Sequence, residues 1–281
     1  MRMIGWAALA AAAFAGTAAQ AKGDLDATIV RTTYGIPHVS ADSWEGIGYG
    51  VAYAYAQDNF CLLAEEFVTV RGERSRYFGP EAKVLHGSNE TDNLSSDVFM
   101  RAVIDLPRLR AGASAQGPEA NLLMTGYVAG YNRFLRDAGT DGIPAECRGQ
   151  PWVQPITSDD MLRLTEKQML LASGMPFLPA IANAAPPGMP AQASAMELPE
   201  REDMGVGSNG WAFGSDVTED GRGMVIGNPH FPWQGPNRFW QVHTTIPGTL
   251  DVMGGTLAGG PLPTLGFNRD IAWTHTVTAA R

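Results

Sequence analysis

A serine hydroxyl is a poor nucleophile until its proton is taken, and Gly207-Ser208-Asn209-Gly210-Trp211 holds one that the chain itself can activate. If the backbone is cut before Ser208, the new α-amine has an ordinary pKa of about 7.7 to 8, so near neutral pH much of it is free to accept that proton. Gly207 suits the cut, because a residue without a side chain lets its carbonyl be approached closely and tolerates an unusual backbone. Attack of the Ser208 hydroxyl on the Gly207 carbonyl would give an ester that water cleaves, freeing the amine. A nucleophile-elbow serine needs Gly-x-Ser-x-Gly, and position 206 is Val206, which counts against a Ser-His-Asp triad. His230, in Gly227-Asn228-Pro229-His230-Phe231-Pro232-Trp233, ends a strand-like segment that a hairpin could return beside Ser208, to hold its hydroxyl or amine. Each feature also has a plainer reading: a Gly-Ser pair after a linker, and a structural histidine in a proline-stiffened turn.

Other chemistries find less support. His38, His86, His230, His243 and His275 show no ligand spacing such as His-x-x-x-His, so no metal is expected. Met1-Arg2-Met3, an alanine-rich apolar run to about Thr17 and Ala19-Gln20-Ala21 form a secretory signal peptide over residues 1–21, too short to cross a bilayer. The expected destination is the periplasm or the exterior. Losing that peptide removes Arg2 and no acid, taking the formal charge from −9 to −10, which disfavours nucleic acid and anionic lipid as partners. Cys61 and Cys147 would then lie in an oxidising compartment. A disulfide between them would close a long loop, worth on the order of 4 kcal/mol in the chain-entropy model; two buried free thiols are the alternative. Arg281 directly follows the strand-like Ile271–Val277 with no closing element, which suggests the amino-terminal part of a longer protein.

The elements that must position Ser208 and His230 divide at a change of texture. Residues 22–183 form a mainly helical unit, opened by β-branched, alternating Thr28–Val39. Asp42 with Glu45 three residues on then predicts a capped helix running to about Arg74, and further helices are predicted over Pro118–Asp137 and Ser158–Ser173. Residues 184–207, rich in Pro, Ala, Met and Gly and then in charge, form a spacer that cannot bury much apolar surface and is open to cutting. From 208 to 281 the sequence turns to strands, at Trp211–Gly214, Met224–Gly227, Phe239–Ile246 and Ile271–Val277, separated by Gly-, Pro- and Asn-rich turns as in an antiparallel sheet.

Taken together, Gly207–Trp211, Gly227–Phe231 and Trp273–Thr278 resemble the opening of the β-chain in the penicillin acylase family of N-terminal nucleophile hydrolases. Tyr34–His38, Tyr53–Asn59, Leu62–Glu66 and Arg71–Arg74 resemble its α-chain. Within that family the wording is nearest the acyl-homoserine-lactone and aculeacin-type acylases. The resemblance implies an α+β fold, an αββα sandwich only partly covered here, and a precursor that cuts itself before Ser208, loses a spacer ending at Gly207 and becomes an α/β heterodimer. It implies Ser208 as nucleophile, His230 as the histidine that orients it, Val277 as donor of one oxyanion-hole N–H, and Phe231 as a wall of the acyl pocket. The other oxyanion donor, an asparagine far along the β-chain, lies beyond position 281. Members that bind calcium place acids just after the oxyanion residue; Thr278-Ala279-Ala280-Arg281 offers none, so no calcium or other cofactor is expected.

The activity so implied is hydrolysis of a fatty acyl amide, an N-acyl-homoserine lactone foremost, by an exported amidohydrolase that would quench acyl-lactone signals. A missing oxyanion donor typically costs about 2.7 to 4 kcal/mol of barrier, so the 281-residue piece alone should be nearly inactive. The rival enzyme readings are a penicillin or cephalosporin acylase and a cyclic lipopeptide acylase. The rival of another class is a non-catalytic exported binding protein that keeps the fold and never matures.

Overall fold

The computed structural model describes residues 25–87, 89–171, 173–187 and 207–276. The signal-peptide segment, most of the spacer and Val277 therefore lie outside the described residues. The helices are α1 (Trp44–Arg71), α2 (Arg74–Phe78), α3 (Asn93–Val103), α4 (Leu106–Ala115), α5 (Pro118–Ala138), α6 (Ser158–Leu170) and α7 (Leu178–Ala182). The strands are β1 (Thr28–Arg31), β2 (Pro37–Ser40), β3 (Lys83–His86), β4 (Asn89–Asp92), β5 (Gly207–Phe213), β6 (Met224–His230), β7 (Trp240–Ile246), β8 (Leu250–Thr256), β9 (Leu265–Phe267) and β10 (Ala272–Trp273). The mixed α+β class expected from the sequence is the one adopted.

A six-stranded sheet in the order β1-β2-β7-β8-β9-β10 forms the centre. Its neighbours are antiparallel except β2 and β7, which run parallel with His38 opposite His243 and Ser40 opposite Thr245. Through this pairing, strands from before position 207 and after it share one sheet. Val39, Val242 and Ile246 turn to the face covered by α1, and the alternate residues turn away. On that other face the two imidazoles meet Nδ1 to Nδ1 at 2.8 Å, and His243 Nε2 lies 2.6 Å from Asp251 Oδ1.

Helix α1 begins one residue later than the predicted cap. Ser43, not Asp42, is the N-cap, its Oγ accepting from the Gly46 N–H. The helix stops at Arg71 because Gly72 turns left-handed at φ 65°, and the N–H groups of Gly72 and Glu73 close on Thr69 and Val68 carbonyls. Most of its length is buried, since α5, α6 and the sheet surround it. The contact with α5 is main chain on main chain: a Cβ added to Gly126 would fall 1.9 Å from the Glu45 carbonyl oxygen. The same addition at Gly130 would fall 2.1 Å from the Tyr49 oxygen, and at Gly48 2.1 Å from the Leu123 oxygen. Phe60 stacks on Tyr131 beside this seam, and Cys61 and Cys147, 86 residues apart, are joined by a disulfide.

The Arg71–Arg74 motif holds helices together. Arg71 donates twice to Asp160, from Nε at 2.7 Å and from Nη2 at 2.8 Å. Burial works to raise the Asp160 carboxyl, but the Arg71 hydrogen bond and charge and the Thr157 N–H outweigh it and hold the pKa below the usual carboxylate range. Buried Arg74 donates to Asn93 Oδ1, Glu65 Oε1 and Thr69 Oγ1, while Asp97 accepts its backbone N–H.

Replacing Gly126 by Ala must push α5 off α1. We expect a loss of at least about 3 kcal/mol, the upper end of ordinary overpacking, whereas Ala at Gly112 of α4, which faces open space, should change little. Urea denaturation of the two variants checks this.

Candidate active site on the β5–β6 hairpin

Strands β5 and β6 form a separate antiparallel hairpin, outside the six-stranded sheet. Its register places Gly207 opposite His230, Ser208 opposite Pro229 and Gly210 opposite Gly227. Both strands run longer than the predicted segments, and Pro229 is accommodated at the far end of the ladder. Register partners share a face and neighbours alternate, so Gly207 and His230 lie on one face and Ser208 and Gly210 on the other. The imidazole accordingly sits over Gly207: a Cβ there would be 3.2 Å from His230 Nδ1. His230 Nε2 lies 3.2 Å from Asn228 Nδ2, and the side chain is exposed.

Ser208 is half-buried, and its hydroxyl donates to the Gly207 carbonyl oxygen. Phe231 follows His230 out of β6 and packs on Phe239 with ring centroids 4.9 Å apart, and Phe239 in turn lies over Gly255 of β8. Of the residues expected to act together, the hairpin thus brings Gly207, Ser208, His230 and Phe231 to one end. Val277 lies outside the described residues. Among those residues no group of three or more His, Cys, Asp or Glu side chains is placed to hold a metal ion.

The structure adds residues that the sequence reading passed over. Asp58 Oδ2 accepts from Arg31 Nη1 at 3.0 Å and from Trp240 Nε1 at 2.8 Å, and Asn59, where α1 kinks at φ −144°, accepts from Arg238. The bonds from Trp240 and Arg238 cross between the helical unit and the part of the chain that follows Ser208. The available signal was Gln57-Asp58-Asn59, three polar residues inside an apolar helix. The sequence predicts a strand over Ile271–Val277; among its described residues only Ala272 and Trp273 pair, and Thr274 and Thr276 lie against Gly210 of the hairpin instead.

A second polar cluster borders a narrow cleft closed on its other wall by Pro236, Asn237 and Leu257. Lys167 donates to Glu66 in a buried pair, and Gln168 Nε2 donates to the Ala258 carbonyl at 2.6 Å. His86 pairs Nε2 with Ser96 Oγ at 2.8 Å, and its buried Nδ1 has no hydrogen-bond partner among the described residues. Burial, then the charges of Lys167 and Arg74, push this imidazole down to about 3.

With this geometry in place, comparison with known proteins defines the class. Residues 26–281 match the penicillin amidase family, and the chain belongs to it. It is 45% identical over 263 residues to the acyl-homoserine lactone acylase PvdQ of Pseudomonas fluorescens, a match covering 91% of this chain and 33% of that one. It is 44% identical over 288 residues to the protein of that name in Pseudomonas putida, covering 100% of this chain and 37% of that one. With the aculeacin-A acylase of Actinoplanes utahensis identity is 40% over 273 residues, covering 92% and 34%. The chain spans about a third of the length of these relatives. Among solved structures, a penicillin G acylase from Alcaligenes faecalis matches with a TM-score of 0.45 at 24% identity, over 53% of this chain and 75% of that one.

The unfolded imidazole of His86 takes a proton near pH 6.5 and the native one only near 3, so between those values the unfolded state binds more protons and stability falls as pH falls. A His86→Asn variant should lose stability less steeply than the parent between pH 6.5 and 4, as read from urea midpoints at each pH.

Proposed function

We propose that the full-length protein is a self-processing amidohydrolase of the penicillin amidase family that removes the acyl chain from N-acyl-homoserine lactones. The observation that carries this reading is the Ser208 hydroxyl resting on the Gly207 carbonyl, at the head of a hairpin, in a chain of that family. In maturation the Ser208 oxygen attacks the Gly207 carbonyl carbon, its proton passes to the amide nitrogen, and the C–N bond breaks to leave an ester. That shift frees the Ser208 α-amine, and water then cleaves the ester, giving the Gly207 carboxylate and restoring the Ser208 hydroxyl. His230, whose ring lies over Gly207, is the histidine we assign to orienting Ser208.

In turnover the amine takes the hydroxyl proton, through a water, as Ser208 attacks the substrate amide, and returns it to the leaving amine; the Val277 N–H stabilises the oxyanion. The acyl-enzyme is then hydrolysed. Phe231, backed by Phe239, supplies an apolar wall for the acyl chain. The relatives named as acyl-homoserine lactone acylases support the lactone substrate, and the aculeacin-A acylase keeps a lipopeptide amide as the second reading. Export to the periplasm or beyond, and an α/β pair as the mature form, complete the proposal. No helix among the described residues is long and apolar enough to cross a membrane.

Mass spectrometry of the full-length gene product should show a polypeptide beginning Ser208-Asn209-Gly210-Trp211, and Ser208→Ala should remain one chain and lose activity by at least about 10³-fold. Hydrolysis of short- and long-chain lactones beside penicillin G checks the substrate, with a long-chain lactone expected to lead. An uncut parent, or a strong preference for penicillin G, overturns the corresponding part.

A further inference from the structure

Thr274 lies against the β5–β6 hairpin, which shares no ladder with the main sheet. Gly210 and Gly227 face each other across the hairpin, on the face that also carries the Ser208 side chain. Thr274 fills the space that two facing side chains would occupy. A Cβ on Gly210 would lie 2.9 Å from Thr274 Cγ2, and one on Gly227 would lie 2.9 Å from Thr274 Oγ1 and 3.0 Å from its Cβ. Its hydroxyl is buried with no hydrogen-bond partner among the described residues, so shape rather than polarity accounts for the contact.

The residues flanking Thr274 are pinned on the opposite side. Trp273 Nε1 donates to the Thr264 carbonyl at 2.9 Å, and His275 Nε2 lies 2.6 Å from the same oxygen. Thr264 is itself held to β8, its N–H donating to the Gly255 carbonyl at 2.8 Å. The segment is thus clamped to the main sheet by two rings and wedged beneath the hairpin by the threonine between them. Thr276 continues along the hairpin, its Cγ2 3.9 Å from the would-be Gly210 Cβ, and Val277 is next in the sequence.

We propose that Thr274 is a positioning residue, wedged between Gly210 and Gly227, that sets how the hairpin carrying the Ser208 nucleophile is seated on the main sheet. This rests on the function proposed above, because only a reaction at Ser208 makes that seating matter to turnover. Binding of the acyl chain does not depend on it, so disturbing the wedge should lower kcat and slow maturation while leaving KM nearly constant.

The test uses the full-length gene product. Gly210→Ala places a methyl against Thr274 Cγ2. It should slow cleavage before Ser208 and lower kcat for a long-chain N-acyl-homoserine lactone by about ten- to a hundredfold, the range expected for a misplacement of about 1 Å, with KM changed less than about threefold. Thr274→Ser removes the Cγ2 methyl, so the Gly210→Ala/Thr274→Ser double variant should recover to the level of Thr274→Ser alone. Gly112→Ala is the control. Should Gly210→Ala fail to fold, Thr274→Val, which keeps both branches, should exceed Thr274→Ala in kcat at similar KM. A Gly210→Ala enzyme that behaves as the parent, a double variant no better than Gly210→Ala, or Thr274→Ala equal to Thr274→Val each overturns the wedge. A parent that is uncut before Ser208, or a Ser208→Ala variant that still turns over, overturns the functional reading instead.

Discussion

Helix α1 can be buried on nearly every side only because α5 comes close enough for backbone to touch backbone, and Gly48, Gly126 and Gly130 are what permit it. A methyl at any of these positions would occupy the place of a carbonyl oxygen. With the two helices seated, the other surfaces of α1 are free to carry the sheet through Gly50, against Val39, and Tyr55, against Trp240, on one flank and α6 on another. The polar residues of its middle turn, Asp58 and Asn59, then reach Trp240 and Arg238, so the helix that organises the first part of the chain also holds the strands after Ser208.

Around the hairpin the construction is of a different kind. There is little apolar burial: Trp211, Met224 and Ile226 are about half exposed, and position is fixed by steric contact at two facing glycines and by ring nitrogens gathered on one carbonyl. Such contacts define distance sharply while adding little cohesive energy. That division suits the scission proposed before Ser208, because the local geometry does not depend on a core that such a rearrangement would disturb.

Much of this was legible in the sequence where the signal is local. The capping pattern near Ser43, the proline at the head of α5 and the Thr157–Asp160 capping box of α6 each announce a helix within a residue or two of where it starts. Gly207, Ser208 and His230 could be singled out because a serine after a spacer and a histidine at a strand end are unusual neighbours. What could not be read depends on contacts remote in sequence. Helix α4 has weak periodicity and buries no residue, and α3, though amphipathic, is short and is held by the buried polar web of Arg74, Asn93 and Asp97. Strand β8 carries Gly254 and Gly255, which weaken the pattern but admit the Gly266 backbone and the Phe239 ring. Thr274 looked like one more β-branched strand residue; only the fold shows two glycines waiting above it.

The parallel pairing of β2 with β7 reaches beyond architecture. Under the proposed scission before Ser208, those strands would belong to separate molecules that share a hydrogen-bonded ladder. Unfolding the severed form, however, converts a first-order return into a second-order encounter. Its recovery then depends on concentration where that of the uncut precursor does not, and scission turns a reversible fold into one that persists chiefly by the slowness of its coming apart.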